Sequence, residues 1–118
     1  MATPKLNIRL LNLNCYTTGE SGDDEVFLKL GGKRIWPEDS KYKTMKSDKV
    51  DIRVEIRDLN HGDMVEIELW DYDLLSRNDK LGIFRLQADR QGGPYVAEMT
   101  RNVEESGVAR YNMEWEIF

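Results

Sequence analysis

Cysteine, histidine and proline are scarce in this 118-residue chain, which has one cysteine, one histidine and three prolines. With Cys15 alone, no intrachain disulfide can form and no cysteine-based metal site can be assembled. Cys15 reads instead as a small apolar residue near a strand end. His61 lies in a turn-forming stretch, so no nucleophile–base–acid set can be built around it. "GESGDD" lacks the spacing of a nucleophile elbow, and nothing suggests a cleft in which paired carboxylates could cleave a glycoside. The expectation is a protein that is not an enzyme. Basic excess is missing too: the net charge is −5, which argues against a nucleic-acid partner. No apolar run is long enough to cross a bilayer. The amino terminus, "MATPKLNIRL", has no charged-then-apolar export pattern, so the expectation is a cytoplasmic location or export without a classical signal.

What the chain does have is alternation. Hydrophobic residues make up 40% and charged residues 33%, the balance of a soluble globular protein, and the length suits a single domain over 1–118. In "VDIRVEIRD", Val50, Ile52, Val54 and Ile56 alternate with charged residues. In "VARYNMEWEI", Ala109, Tyr111, Met113, Trp115 and Ile117 alternate with Arg110, Asn112, Glu114 and Glu116. Successive side chains of a strand point to opposite faces, so each stretch reads as a strand with one buried and one wet face. "MVEIELWDY" and "EVFLKL" follow the pattern, and "KLGIFRLQA" and "PYVAEMT" are weaker strands. "KLNIRLLNLN" changes phase between Leu10 and Leu11, which predicts a bulge or a shift of face. Turn-forming stretches separate these runs, and "DLNHGD" reads as a hairpin turn. With no amphipathic helix, the pattern predicts an all-β antiparallel sandwich. Trp36, Trp70, Trp115 and Tyr111 read as core or sheet-face residues.

Charge is unevenly distributed. Lys33, Arg34, Lys41, Lys43 and Lys46 fall in one stretch, a basic patch that could meet phosphates or simply be solvated surface. Acidic residues concentrate in "GESGDDE" and in "WDYDLLSRNDKLG". In the second, Asp71 and Asp73 lie two apart at a strand end, and Asp79 follows a short excursion. Folding the loop over would bring the three carboxylates together, and like charges at short range raise each other's pKa or demand a cation. Calcium suits such a donor set, because it takes 6–8 oxygen ligands in flexible geometry. Soft or imidazole-seeking metals find no ligands here. The plain alternative is a solvated acidic turn.

"LWDYDLLSRNDKLG" resembles the third calcium-binding loop of C2 domains, the second conserved region of protein kinase C. Asp71, Asp73 and Asp79 fall on that family's three loop-three aspartates with the same spacing. The resemblance implies further oxygen ligands from Ser76 and Asn78. "VEIRDLNHGDMVEIELWDYD" resembles the strand–turn–strand before that loop, and "GDDEVFLKLGGKR" the strand after loop one. Loop one departs from the family pattern. Glu25 takes the later aspartate position, Asp24 and Asp23 are adjacent alternatives, and Glu20 lies near the earlier position.

The resemblance implies an eight-stranded antiparallel β-sandwich, a Ca²⁺ site between loops one and three, and docking to anionic phospholipid membranes. Leu74 and Leu75 at the loop-three tip, with Arg77, would be the membrane contacts, and the basic patch a phosphoinositide surface. Leucines folded back on the sandwich are the alternative at the tip. The corresponding location is cytoplasmic with peripheral membrane association. A second function, from a different class, is a calcium-stabilised protein-interaction or assembly component without lipid binding.

Overall fold

The computed structural model describes residues 4–19, 22–102 and 107–118, and among these it contains strands and no helix. Two antiparallel sheets face each other. The strands are β1 (Leu6–Thr17), β2 (Asp24–Leu30), β3 (Lys33–Trp36), β4 (Lys43–Met45), β5 (Lys49–Leu59), β6 (Met64–Asp71), β7 (Asp79–Gln87), β8 (Gly92–Glu98), β9 (Thr100–Arg101) and β10 (Arg110–Ile117). One sheet has the order β5-β1-β10-β8; the other runs β3-β2-β6-β7-β9, with β4 also pairing β2. The all-β antiparallel sandwich is therefore as expected. The expected eight strands become ten because β4 and β9 are split off as pieces of three and two residues.

The core follows the period-two pattern. Ile8, Leu10 and Leu13 of β1 and Met113 of β10 are fully buried and meet Val26, Leu28, Ile67, Leu69, Phe84 and Leu86 of the other sheet. Burying such side chains contributes about 1.5–3 kcal/mol each, which is what holds two sheets together without a disulfide. Trp36, Trp115 and Tyr111 are buried with them, and Trp70 is half-buried and stacked on Phe27. Cys15 is buried, and burial pushes its thiol pKa up. The phase change in β1 is a bulge: register with both neighbours slips between Leu10 and Asn12, so Leu10 and Leu13, three residues apart, both point into the core. The same slip leaves Arg53 of β5 at φ 64°, the left-handed region that a residue without a Cβ adopts most readily.

One expectation is corrected. "DLNHGD" is a tight turn, with Asp63 N–H donating to Asn60 O at 3.0 Å, but it is not a hairpin. β5 pairs with β1 in one sheet and β6 with β2 and β7 in the other, so the turn carries the chain between sheets. Both flanking strands are clean alternators, and alternation says nothing about which neighbour a strand will pair with.

Gly82 lets β9 close against β7. A Cβ there would lie 2.4 Å from Thr100 O and 2.5 Å from Met99 Cγ. Gly82 pairs with Arg101, so the carbonyl cannot move without losing that short ladder. Gly82→Ala is expected to cost about 1–3 kcal/mol in urea unfolding. A loss under about 0.5 kcal/mol would show that β9 yields freely.

Candidate functional site

Several connections gather at one end of the sandwich. Thr17 pairs with Arg110, Asp24 with Met45, Val26 with Asp71, and Asp71 with Asp79. The ends of β1, β4 and β6 and the starts of β2, β7 and β10 therefore share that end. Loop one leaves β1 after Thr17 and enters β2 at Asp24; loop three, 72–78, joins β6 to β7.

Loop three is held by its own side chains. Asp73 Oδ1 accepts from Leu75 N–H at 2.9 Å and Ser76 N–H at 3.2 Å, and Oδ2 accepts from the Ser76 hydroxyl at 2.7 Å. These bonds, Ser76 foremost, hold the Asp73 carboxyl below the usual aspartate value. Asn78 Oδ1 accepts from Asp73 N–H at 2.8 Å. Ser76 and Asn78, expected as ion ligands, thus brace the loop. Asp71 Oδ1 accepts from Glu25 N–H at 2.8 Å, and Tyr72 N–H donates to Glu25 O at 2.7 Å, which ties loop three to β2. The brace lifts Leu74 and Leu75 to 80% and 93% exposure; they do not fold back. Arg77 is exposed beside them.

Asp23, Glu25, Asp71, Asp73 and Asp79 line one cleft of about 670 Å³, together with Lys41, Tyr42, Tyr72, Leu74 and Leu75. Tyr42 and Tyr72 stack with ring centroids 5.2 Å apart, and Lys41 Nζ lies 5.9 Å from the Tyr72 ring. The donor set is right for a hard cation in kind: five carboxylates with no thiol or imidazole in the lining. It is not drawn together, because among the described residues no three His, Cys, Asp or Glu side chains are grouped closely enough to hold a metal. Glu20 lies outside the described residues.

The structure does not bring Asp24 into this cleft. Its side chain is fully buried, accepts from Tyr111 Oη at 2.5 Å, and takes Gly19 N–H on both oxygens at 3.0 and 2.9 Å. Burial holds its carboxyl above the usual value against those hydrogen bonds, and burial raises the Tyr111 phenol in turn. Period two explains the division: Asp24 faces inward with Val26, while Asp23 and Glu25 face the cleft. Sequence reading offered the three as alternatives and missed Tyr111 as the buried partner. A tyrosine on an alternating strand gives no sign that its hydroxyl will meet a carboxylate 87 residues away.

The basic residues lie elsewhere. β3 and β4 succeed each other along the edge of β2 opposite β6, and Lys33, Arg34, Lys41, Lys43 and Lys46 are all exposed there or beside it. Lys41 alone of the five also lines the acidic cleft. His61 sits exposed in its turn, with Nε2 3.1 Å from Asp89.

No protein-family model matches the sequence, and no curated protein does. Solved structures do match in shape. The C2A domain of plant extended synaptotagmin 1 superposes with a TM-score of 0.59 at 14% identity, covering 96% of this chain and 91% of that one. A second structure, described as a C2 domain, gives a TM-score of 0.55 at 13% identity over 96% of each chain. At such identities the likeness is one of architecture, and nearly the whole chain takes part in it. This chain has the fold of a C2 domain.

Proposed function

We propose that this chain is a calcium-dependent docking module for anionic phospholipid membranes, a binding domain without catalytic activity. The observation that carries the reading is the pair Leu74 and Leu75, 80% and 93% exposed on a braced loop directly over a cleft lined by five carboxylates. Two adjacent leucines held in water cost solvation free energy that an apolar phase returns, about 1.5–3 kcal/mol each. The carboxylates beneath them repel an anionic surface until their charge is offset. Asp71 and Asp79 at the two ends of loop three, with Asp23 and Glu25 from the loop-one side, are the residues that would hold Ca²⁺. The bound ion supplies positive charge that can face lipid phosphate. Asp73 keeps the leucines raised through its bonds to Ser76 and Leu75.

Co-sedimentation with vesicles of phosphatidylserine and phosphatidylcholine tests this. Binding is expected in calcium and is expected to vanish with chelator. Leu74→Ser with Leu75→Ser should weaken it by about tenfold or more while leaving the melting temperature unchanged, since neither leucine supports the core. Binding indifferent to chelator would sink the proposal.

A second reading, a protein-interaction or assembly component, is favoured by the β8 edge. Among the described residues β8 pairs with β10 alone, and Val96 on it is 61% exposed. Such an edge can accept an added strand from a partner. Calcium-dependent melting without any vesicle binding would favour it.

A further inference from the structure

Four of the large apolar side chains exposed among the described residues, Tyr16, Leu74, Leu75 and Val108, stand at one end of the sandwich. The two leucines belong to loop three, between β6 and β7 of one sheet. Tyr16 and Val108 belong to the other sheet, beside the point where Thr17 of β1 pairs with Arg110 of β10. Tyr16 is 53% and Val108 60% exposed, while Cys15 and Ala109 next to them are buried. The turn that carries Val108 is held against loop one: a Cβ on Gly107 would lie 2.4 Å from Gly19 O. Neither Tyr16 nor Val108 lines the acidic cleft.

Two arginines accompany them. Arg101, at the end of β9, reaches Gly107 O with Nη1 at 3.5 Å, which sets its guanidinium beside the turn that holds Val108. Arg110 opens β10 and is exposed. Tyr16, Arg101 and Arg110 line one hollow of about 370 Å³, where Glu98 is the one carboxylate among the described residues. Asn112 Nδ2 donates to Tyr16 Oη at 2.8 Å, which leaves the phenol its own proton to donate elsewhere. An aliphatic side chain, an amphipathic ring and guanidinium groups side by side suit the layers of a bilayer surface. The first enters the acyl boundary, the second settles at the interface, and the third meets phosphate.

The shape of the molecule lets one plane meet both groups. β1 has 12 residues, about 40 Å at the rise of a strand. The molecule measures 53 × 27 × 23 Å, so its strands follow the long axis and its end is small. A bilayer that meets Leu74 and Leu75 end-on has the turn at 107–110 within its reach. We infer that Tyr16 and Val108, with Arg101 and Arg110, form a second contact with an anionic bilayer, so that each sheet contributes one point of attachment. This inference rests on the membrane-docking reading and adds to it a surface outside the acidic cleft.

The test is NMR of the full ¹⁵N-labelled chain on bicelles of phosphatidylserine and phosphatidylcholine in calcium, doped with a lipid that carries a nitroxide on its headgroup. Amide signals of Tyr16 and Val108 are expected to broaden along with those of Leu74 and Leu75. The amide of Met64, at the start of β6 and so at the far end, is expected to stay sharp. Broadening at Leu74 and Leu75 alone would overturn the second contact and leave the docking reading intact. No broadening anywhere would overturn both. In vesicle co-sedimentation, Val108→Asp should weaken binding by about tenfold or more. Met64→Asp makes the same change of charge at a position 53% exposed, and should leave binding unchanged. Both positions are exposed, so neither variant is expected to unfold the chain. Equal losses in the two variants, or no loss in Val108→Asp, would overturn the inference as well.

Discussion

Tyr111→Phe is expected to destabilise the protein by about 1.5–3 kcal/mol at neutral pH, the cost of removing one hydrogen bond to a buried charged group. The phenol donates to Asp24 at 2.5 Å, and what remains for the carboxylate is Gly19 N–H. The loss should depend on pH with a definite sign. Asp24 is held above the ordinary value of 3.8, with burial as the largest cause and the Tyr111 bond opposing it. A carboxyl whose folded pKa is raised binds its proton more tightly folded than unfolded, so protonation favours the folded state. The ionised carboxylate therefore costs stability at neutral pH, and that cost disappears as pH falls through the raised folded value toward 3.8. Removing Tyr111 raises the folded value further. The penalty of Tyr111→Phe should accordingly be largest above the window and shrink within it. Urea unfolding of parent and variant at neutral pH and near pH 4 measures this. A pH-independent penalty would show that Asp24 does not carry charge in the folded protein.

Calcium in about hundredfold excess over its dissociation constant should stabilise the parent by about 2.7 kcal/mol, a rise in melting temperature of roughly 10 °C. Asp79→Asn should abolish most of that rise. The same variant should be as stable as the parent in chelator, or more so by about 0.2–1 kcal/mol, because Asp71 and Asp79 are directly paired across β6 and β7 and like charges so placed repel. The order of stability then reverses between chelator and calcium. Loss of a merely structural residue lowers stability in both conditions and gives no reversal. A parent whose melting temperature ignores calcium would mean that the five cleft carboxylates are a solvated surface, consistent with their not being drawn together among the described residues.

Much of this molecule was legible in the residues. Alternation in "VDIRVEIRD", "MVEIELWDY" and "VARYNMEWEI" located β5, β6 and β10, and the doubled leucine at Leu10–Leu11 marked the β1 bulge. Loop three was equally readable. Asp71 and Asp79 end and begin adjacent strands, whereas the residues left open whether the leucines between them stand out or fold back, and the structure exposes them. Ser76 and Asn78 read as oxygen ligands by resemblance, but in the structure the Ser76 hydroxyl donates to Asp73 and Asn78 Oδ1 accepts from Asp73 N–H.

The chain's local pattern by itself determined the seven longer strands, β1, β2, β5, β6, β7, β8 and β10, and where acidic loops lie, because these depend on neighbours one to four residues away; the short β3, β4 and β9 carry no such pattern. Tertiary structure alone decided three things. It sent "DLNHGD" from one sheet to the other, since strand pairing is chosen among competing distant edges and not by the turn. It turned Asp24 inward onto Tyr111, since the register of β2 in the sandwich sets which of three consecutive acids is buried. It buried the Trp115 indole N–H without a hydrogen-bond partner among the described residues, since that depends on which distant side chains pack around it. Each of these rests on contacts between residues far apart in sequence, where a period of two carries no information.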